Sequence, residues 1–350
     1  MSHAQQTPEG LYPIKPRDAR DEWIDHQSVD LADSTIRSHR QRLRHFVRWC
    51  DDQDITSIHQ LDGRTLHQYD RHRRGQGLAA TTLKGELTTL RNFIEFCERI
   101  ECAPEGLSEK IDPPTPSKHE EVSETVLKSG RALRLLDHLR SEEYGTRDHA
   151  LFEFMWSTGA RAGAVAGVDV TDYDSDAEYV EFRHQPAEDT PLKNKYDGER
   201  PVSLPSRVCD ALDAYLDGRD RYNTVDDYGR EPLFTSRYGR PKPGTIRDWM
   251  YRLTVPCRVG ECPHDVDPDE CEALNKPNGE SACPSSRSPH PVRSGSISWQ
   301  LACGIPMELV EARVNASREV ILRHYDLRGE HAKMEQRRNH IIPHLNYTKA

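Results

Sequence analysis

His290-Pro291-Val292-Arg293 stands late in a chain of 350 residues, and the reading of the whole molecule turns on it. A proline at the first position of a helix loses nothing there, because the first N–H groups of a helix have no partner within it. Taking Pro291 as that position predicts a helix over about 291–303, with His290 at its entrance and Arg293 one turn along the same face. The start of a helix adds N–H groups and the positive end of its dipole. Histidine, arginine and helix start together make a place for a phosphate. Alone, the pattern serves equally well as a capping histidine beside a solvated arginine, so the decision rests on what lies further away.

Upstream, an apolar helix (Leu151, Phe152, Phe154, Met155, Trp156) ends in Thr158-Gly159-Ala160-Arg161, a turn that exposes an arginine before a second, small-residue helix. Downstream, Val320-Ile321-Leu322-Arg323-His324-Tyr325-Asp326 puts a tyrosine on an amphipathic helix. A junction arginine is most often a surface group, and a helical tyrosine is most often half-buried core. What changes both readings is their order and spacing around the His-x-x-Arg.

The rest of the chain divides by composition. Residues 1–16 read as a flexible tail. Residues 17–102 are helical, with a helix from the cap Ser34 to Asp51, one capped by Asp62, and one over 81–100. The proline-rich stretch 103–124 reads as a linker. From 125 to 340 the pattern is mixed. Helices are predicted at about 125–140, 147–157, 206–222, 244–254, 291–303, 306–312 and 318–328, and short strands at 179–183 and 201–204. A cysteine-rich insertion occupies 257–283, and 341–350 form a C-terminal tail. The fold class is mainly α with a small β-sheet in the second domain.

An arginine in T-G-x-R, a His-x-x-Arg some 130 residues on and a tyrosine about 30 residues after that resemble the tyrosine recombinase (phage integrase) family. The resemblance covers about 20–340. It implies an N-terminal helical core-binding (SAM-like) domain followed by the recombinase catalytic domain. The wording around the cysteines and around the tyrosine is similar to integrases of halophilic archaea. Carried over position by position, Tyr325 matches the nucleophile, Arg161 the first catalytic arginine, and His290 and Arg293 the His-x-x-Arg pair. The family also has a lysine in a turn about five residues before an Arg-x-Val-x-Leu strand. Arg200-Pro201-Val202-Ser203-Leu204 fits that strand, which points to Lys195, with Lys193 as the alternative. One position departs from the pattern. About nine residues before the tyrosine the family usually places a His or Trp, where this chain has Ala316; the adjacent Asn315 is an auxiliary candidate able to hydrogen-bond a phosphate oxygen.

The implied chemistry accounts for the residue types. Tyr325 would attack a DNA phosphodiester, forming a 3′-phosphotyrosyl link and releasing a 5′-hydroxyl. Arg161 and Arg293 offer permanently charged forks to the nonbridging oxygens. The lysine would protonate the leaving oxygen, and His290 would accept the tyrosine proton or orient the phosphate. The resemblance implies no cofactor for catalysis, double-stranded DNA as partner and a homotetramer assembled on it. The leading expectation is a recombinase that integrates or excises a mobile element; the alternatives are a chromosome-dimer resolvase and a non-catalytic DNA-binding regulator that keeps the fold.

The net charge of −10 argues against nucleic acid until its distribution is read. Residues 34–102 carry twelve Lys and Arg against nine Asp and Glu, a basic region in an acidic chain. Arg37, Arg40, Arg44, Arg48, Arg71, Arg73, Arg74, Lys84 and Arg91 are its candidates for contact with the DNA backbone. Only 11 of the 48 basic residues are lysines, and acid excess with few lysines fits adaptation to high salt. No apolar run approaches a membrane span, and the first residues lack a signal-peptide pattern, so a cytoplasmic location with no membrane partner is expected. Nine cysteines in such a chain argue against a disulfide framework. Cys257, Cys262, Cys271 and Cys283, with His264 as an alternative ligand, suggest a structural Zn2+ holding a stretch that has little apolar material of its own.

Overall fold

The computed structural model describes residues 10–117, 120, 125–325, 334 and 338. The expectations for residues 1–9, for the last helix beyond Tyr325 and for the tail 341–350 lie outside the described residues. The chain forms two compact units, Met1–Ser123 and Glu124–Ala350. No helix among the described residues is long and apolar enough to cross a membrane.

Among the described residues, four α-helices build the first unit: α1 (Pro16–Gln27), α2 (Asp33–Asp52), α3 (Gly63–Arg74) and α4 (Ala80–Arg99). Pro16, expected in the tail, opens α1 instead. Asp62 caps α3 by accepting from the Thr65 amide at 2.7 Å, as expected. Ser34 does not cap α2; the helix starts two residues earlier, with Ala32 at the cap and Asp33 placing a carboxylate in the first turn, where the dipole favours it. The apolar faces of these helices converge on one core. Phe46 meets Tyr69 edge-on at 5.1 Å between ring centroids, and Trp23 meets Phe93 at 5.9 Å. The linker is shorter than its composition suggests. Ala103, Leu107 and Ile111 recur every four residues and are buried in this core, and the Ser108 amide donates to Glu98. Prolines describe the local backbone there, but the apolar side chains between them decide where it goes.

The second unit runs α5 (Ser129–Glu142), α6 (Arg147–Thr158), α7 (Ala162–Gly167), β1 (Tyr173–Asp174), β2 (Tyr179–Phe182), β3 (Arg200–Ser203), α8 (Ser206–Leu216), α9 (Pro243–Leu253), α10 (Glu272–Asn275), α11 (Pro289–Ala302), α12 (Met307–Val314) and α13 (Arg318–His324). The strands form an antiparallel sheet in the order β1-β2-β3, with Val180 opposite Val202 and Phe182 opposite Arg200. The two-residue β1 is too short to show alternation and was not expected. Nearly every residue of α6 is buried. That follows from a run, Ala150–Trp156, whose one polar member, Glu153, has its carboxylate paired with Arg140. This central helix ends at Gly159, whose φ of +61° reverses the chain and delivers Arg161.

The His-x-x-Arg helix, α11, begins two residues earlier than expected. Pro289 takes its first position and Pro291 the third, where no intrahelical hydrogen bond is lost either. Gly295 is required: a Cβ there would stand 2.0 Å from the Leu127 carbonyl carried past the helix. Ile297, Leu301, Val310, Val314, Ile321 and Tyr325 close a small separate core among α11, α12 and α13.

Candidate active site

Arg293 is 1% exposed, a guanidinium inside the protein. One terminal nitrogen donates to the Gly159 carbonyl and the other to the Val314 carbonyl at 2.8 Å. Its Nε is buried without a partner. Arg161 leaves the turn after Gly159, and its Nη1 donates to the Asn315 carbonyl at 3.1 Å. Two further arginines join these. Arg200, at the start of β3, donates from Nε to the Arg313 carbonyl at 2.8 Å and lies over the Phe182 ring at 4.6 Å. Arg313 donates to the Ser157 carbonyl at 3.1 Å and the Ser203 carbonyl at 2.8 Å. No carboxylate among the described residues is ion-paired with any of the four.

That imbalance is the main electrostatic fact of the site. Burial, and then the charge of Arg161, push the Arg293 guanidinium down to about 10, against a hydrogen bond to Tyr325 that raises it. Burial, followed by Arg293, Arg161 and Arg313, pushes Arg200 down to about 10. Burying a cation without a counter-charge is costly, and doing so repeatedly in one place makes each further one costlier. Such a cluster stores affinity for an anion, and forked donors suit the tetrahedral oxygens of a phosphate.

Tyr325 lies against this cluster. It caps the end of α13 and is 4% exposed, and its ring centroid is 5.4 Å from the Arg293 guanidinium carbon. Its carbonyl accepts from the Ser298 hydroxyl, so α11 fixes both the arginine and the tyrosine backbone. The His290 ring is 5.6 Å from the Tyr325 ring, centroid to centroid. Desolvation, followed by the charges of Arg293, Arg161, His324 and Lys193, holds the His290 imidazole below its ordinary value of 6.5. It is therefore neutral at pH 7 and able to take a proton. Protonation would remove that base, so the acid limb of kcat/KM for DNA cleavage is expected below pH 6.5 and to disappear in His290→Gln. An acid limb above 6.5 in the unmutated protein would contradict this.

Lys193 and Lys195 are both exposed on the loop between β2 and β3. The spacing favours Lys195, and both lysines stand on the loop that faces the site. Lys193 is close enough for its charge to act on His290, and Lys195 sits at φ +52°, starting a short 3-10 turn. A left-handed residue and a turn of 3-10 helix separate the lysines from the strand. Asn315 does not stand as an unengaged phosphate donor, since its Nδ2 donates to the Asp197 carbonyl at 2.6 Å. Sequence reading missed the roles of Arg200 and Arg313. Arg200 was visible as the first residue of the strand, but Arg313 looks like any charge on the last turn of an amphipathic helix.

Comparisons with known proteins bear on the fold and the family. Residues 21–100 match the family model described as phage integrase, N-terminal SAM-like domain. An N-terminal domain of a phage integrase/site-specific recombinase from Haloarcula marismortui is 42% identical over 29% of this chain and 98% of its own, with a TM-score of 0.29. Tyrosine recombinase XerC 2 of Ralstonia nicotianae is 27% identical over 59% of this chain and 58% of that protein. These matches support the tyrosine recombinase family. The fold of the Tn1549 transposon integrase, solved in complex with a circular intermediate DNA, matches this chain with a TM-score of 0.63 at 13% identity, covering 93% of this chain and 99% of that one. The alignment with the Ralstonia relative reaches little more than half of that protein's length.

In the SAM-like domain, Arg37, Arg40, Arg44 and Arg48 recur every three or four residues on α2 and are all exposed, forming one basic stripe. Arg71, Arg74 and Arg91 are exposed and Lys84 is half-buried; Arg74 is ion-paired with Asp70 at 2.7 Å. Arg73 is a correction. It is 5% exposed and grips Glu86 of α4 through two nitrogens at 2.8 and 2.6 Å, so it is a structural ion pair and not a DNA contact. Its partner lies 13 residues away on another helix, which the charge pattern of α3 alone cannot reveal.

The cysteine-rich insertion shows less order than the sequence suggested. Cys257 and Cys262 hydrogen-bond to each other, and the Cys262 thiol is lowered chiefly by the His264 amide. Cys283 is near enough to Cys257 to raise its thiol, though by less than burial and Cys262 do. Among the described residues no three of His, Cys, Asp and Glu stand together as a metal site, so the expected four-cysteine set is not drawn together here.

Proposed function

We propose that this chain is a site-specific DNA recombinase that cleaves and rejoins double-stranded DNA through a 3′-phosphotyrosyl intermediate on Tyr325. The observation that carries the reading is the buried arginine cluster with no paired carboxylate, set directly against a tyrosine. A phosphodiester supplies the missing anion. Arg161 and Arg293 neutralise the charge that grows on its nonbridging oxygens, and a preorganised donor of this kind contributes about 10²–10³-fold in rate. The Tyr325 proton passes to neutral His290 as oxygen bonds to phosphorus. The phosphorus–5′-oxygen bond breaks, with Lys193 or Lys195 protonating the leaving oxygen. A 5′-hydroxyl from a second duplex reverses the step, so rejoining draws on the energy of the phosphotyrosyl bond.

The α2 arginine stripe would follow the phosphate backbone in a sequence-independent way. Exchange between two duplexes uses four cleavages, which supports a homotetramer on DNA. The excess of acids and of arginine over lysine supports a salt-adapted, haloarchaeal-type integrase of a mobile element acting in the cytoplasm. The reading is tested by incubating the protein in molar salt with DNA from both flanks of its own gene. A protein–DNA species that survives SDS is expected; specific binding without such a species would favour a non-catalytic regulator.

A structural Zn2+ in the insertion is a separate proposal. The contact between Cys257 and Cys262 and the buried, unpartnered Nε2 of His264 support it. Cys271 and Cys283 would complete the set, with His264 able to replace one of them. Closing it requires movement of the 257–283 loop. Elemental analysis of protein purified without chelator should give one zinc per chain, falling in Cys262→Ser. Zinc-free protein that is folded and active would contradict the proposal.

A further inference from the structure

The end of α12 does more than close a helix. Its last carbonyls lack partners within the helix and carry the negative end of its dipole. Three consecutive ones each receive a different guanidinium: Arg313 that of Arg200, Val314 that of Arg293 and Asn315 that of Arg161. The chain leaves the helix at Asn315 with φ +49° and ψ +64°, a left-handed conformation that asparagine tolerates better than most residues. The carbonyl aimed at Arg161 depends on that turn.

The Asn315 side chain faces the other half of the site. Its Nδ2 donates to the Asp197 carbonyl at 2.6 Å, and its Oδ1 accepts from the Asn194 carboxamide. Asn194 lies between Lys193 and Lys195, and Asp197 lies two residues beyond Lys195. One residue therefore fixes a phosphate-facing arginine through its backbone and grips the lysine-bearing loop through its side chain. Ala316, beside it, supplies no polar group where the family usually has a His or Trp.

We propose that Asn315 is a positioning residue: its carboxamide clasps the β2–β3 loop so that the lysine ammonium meets the leaving 5′-oxygen while Arg161 holds the phosphate. This rests on the recombinase reading. The carboxamide acts on the proton delivered to the leaving group, and not on phosphate binding or on nucleophilic attack.

The test separates those steps. Single-turnover cleavage by the full chain is measured on two DNA substrates that differ in one atom, the bridging 5′-oxygen of the scissile phosphate being sulfur in the second. A thiolate, whose conjugate acid has a pKa near 8.5, leaves without a general acid, while an alkoxide does not. Asn315→Gly keeps the left-handed backbone and removes the clasp. It should slow the oxygen substrate about tenfold or more, part of the ~10²–10⁴ that general acid catalysis contributes, and leave the sulfur substrate nearly unchanged. Asn194→Ala, which removes the other end of the same hydrogen bond from an exposed loop position, should reproduce the pattern should Asn315→Gly fold poorly. Arg161→Gln should slow both substrates. Equal slowing of both substrates by the Asn315 and Asn194 variants, or none, would overturn the inference. Failure of the unmutated protein to cleave either substrate would overturn the recombinase reading, and this inference with it.

Discussion

Replacing Tyr325 with Phe is expected to abolish the SDS-resistant protein–DNA species completely while leaving DNA binding intact. The substitution removes one oxygen, the atom that would bond to phosphorus, and keeps the ring that packs with Ile297, Val310 and Ile321. The hydrogen bond with Arg293 is lost, at a stability cost of about 0.5–1.5 kcal/mol, too little to unfold a domain of this size. Comparing thermal stability and gel-shift affinity with adduct yield separates chemistry from folding. Residual adduct in the variant would mean that another group attacks phosphorus.

Arg293→Lys is expected to slow cleavage by about 10²–10³-fold with far less effect on DNA affinity. The exchange keeps a positive charge but loses the fork. In the native site two nitrogens of one guanidinium satisfy the Gly159 and Val314 carbonyls, and the plane they define is held against Tyr325. A single ammonium cannot hold both carbonyls and still present donors to a phosphate, and its shorter reach leaves the buried space incompletely filled. Strong hydration also makes an ammonium harder to bury than a guanidinium. Single-turnover rates at saturating protein give the measure. A loss of less than tenfold would mean that the charge alone suffices and that the geometry described for Arg293 is not what the reaction uses.

Much of this site was legible in the sequence, and the illegible part has a common cause. Arg161, His290, Arg293 and Tyr325 were readable because each sits at a locally marked place: a Gly159 turn, a proline-led helix start, an amphipathic helix. The apolar stripes of α2 and α4 were readable because helical periodicity is local. Arg73 was misread because its partner, Glu86, is on the next helix, and only packing tells a buried ion pair from a solvated charge. The linker was drawn too long because proline signals backbone irregularity, while Leu107 and Ile111 signal burial only once there is a core to enter. The choice between Lys193 and Lys195 is not legible from spacing alone, because family spacing counts residues and the left-handed Lys195 changes how far those residues reach. The three carbonyls of residues 313–315 were invisible, since a backbone oxygen leaves no mark in sequence and its partners come from three different elements.

The most direct measurement is to find the covalent bond. The trapped protein–DNA species would be digested with nuclease and protease, and the nucleotide-bearing peptide sequenced by mass spectrometry. The expected result is a 3′-linked nucleotide on the Tyr325 phenolic oxygen. A nucleotide on another tyrosine or on a serine, or one linked through its 5′ end, would contradict the assignment of Tyr325 as the nucleophile.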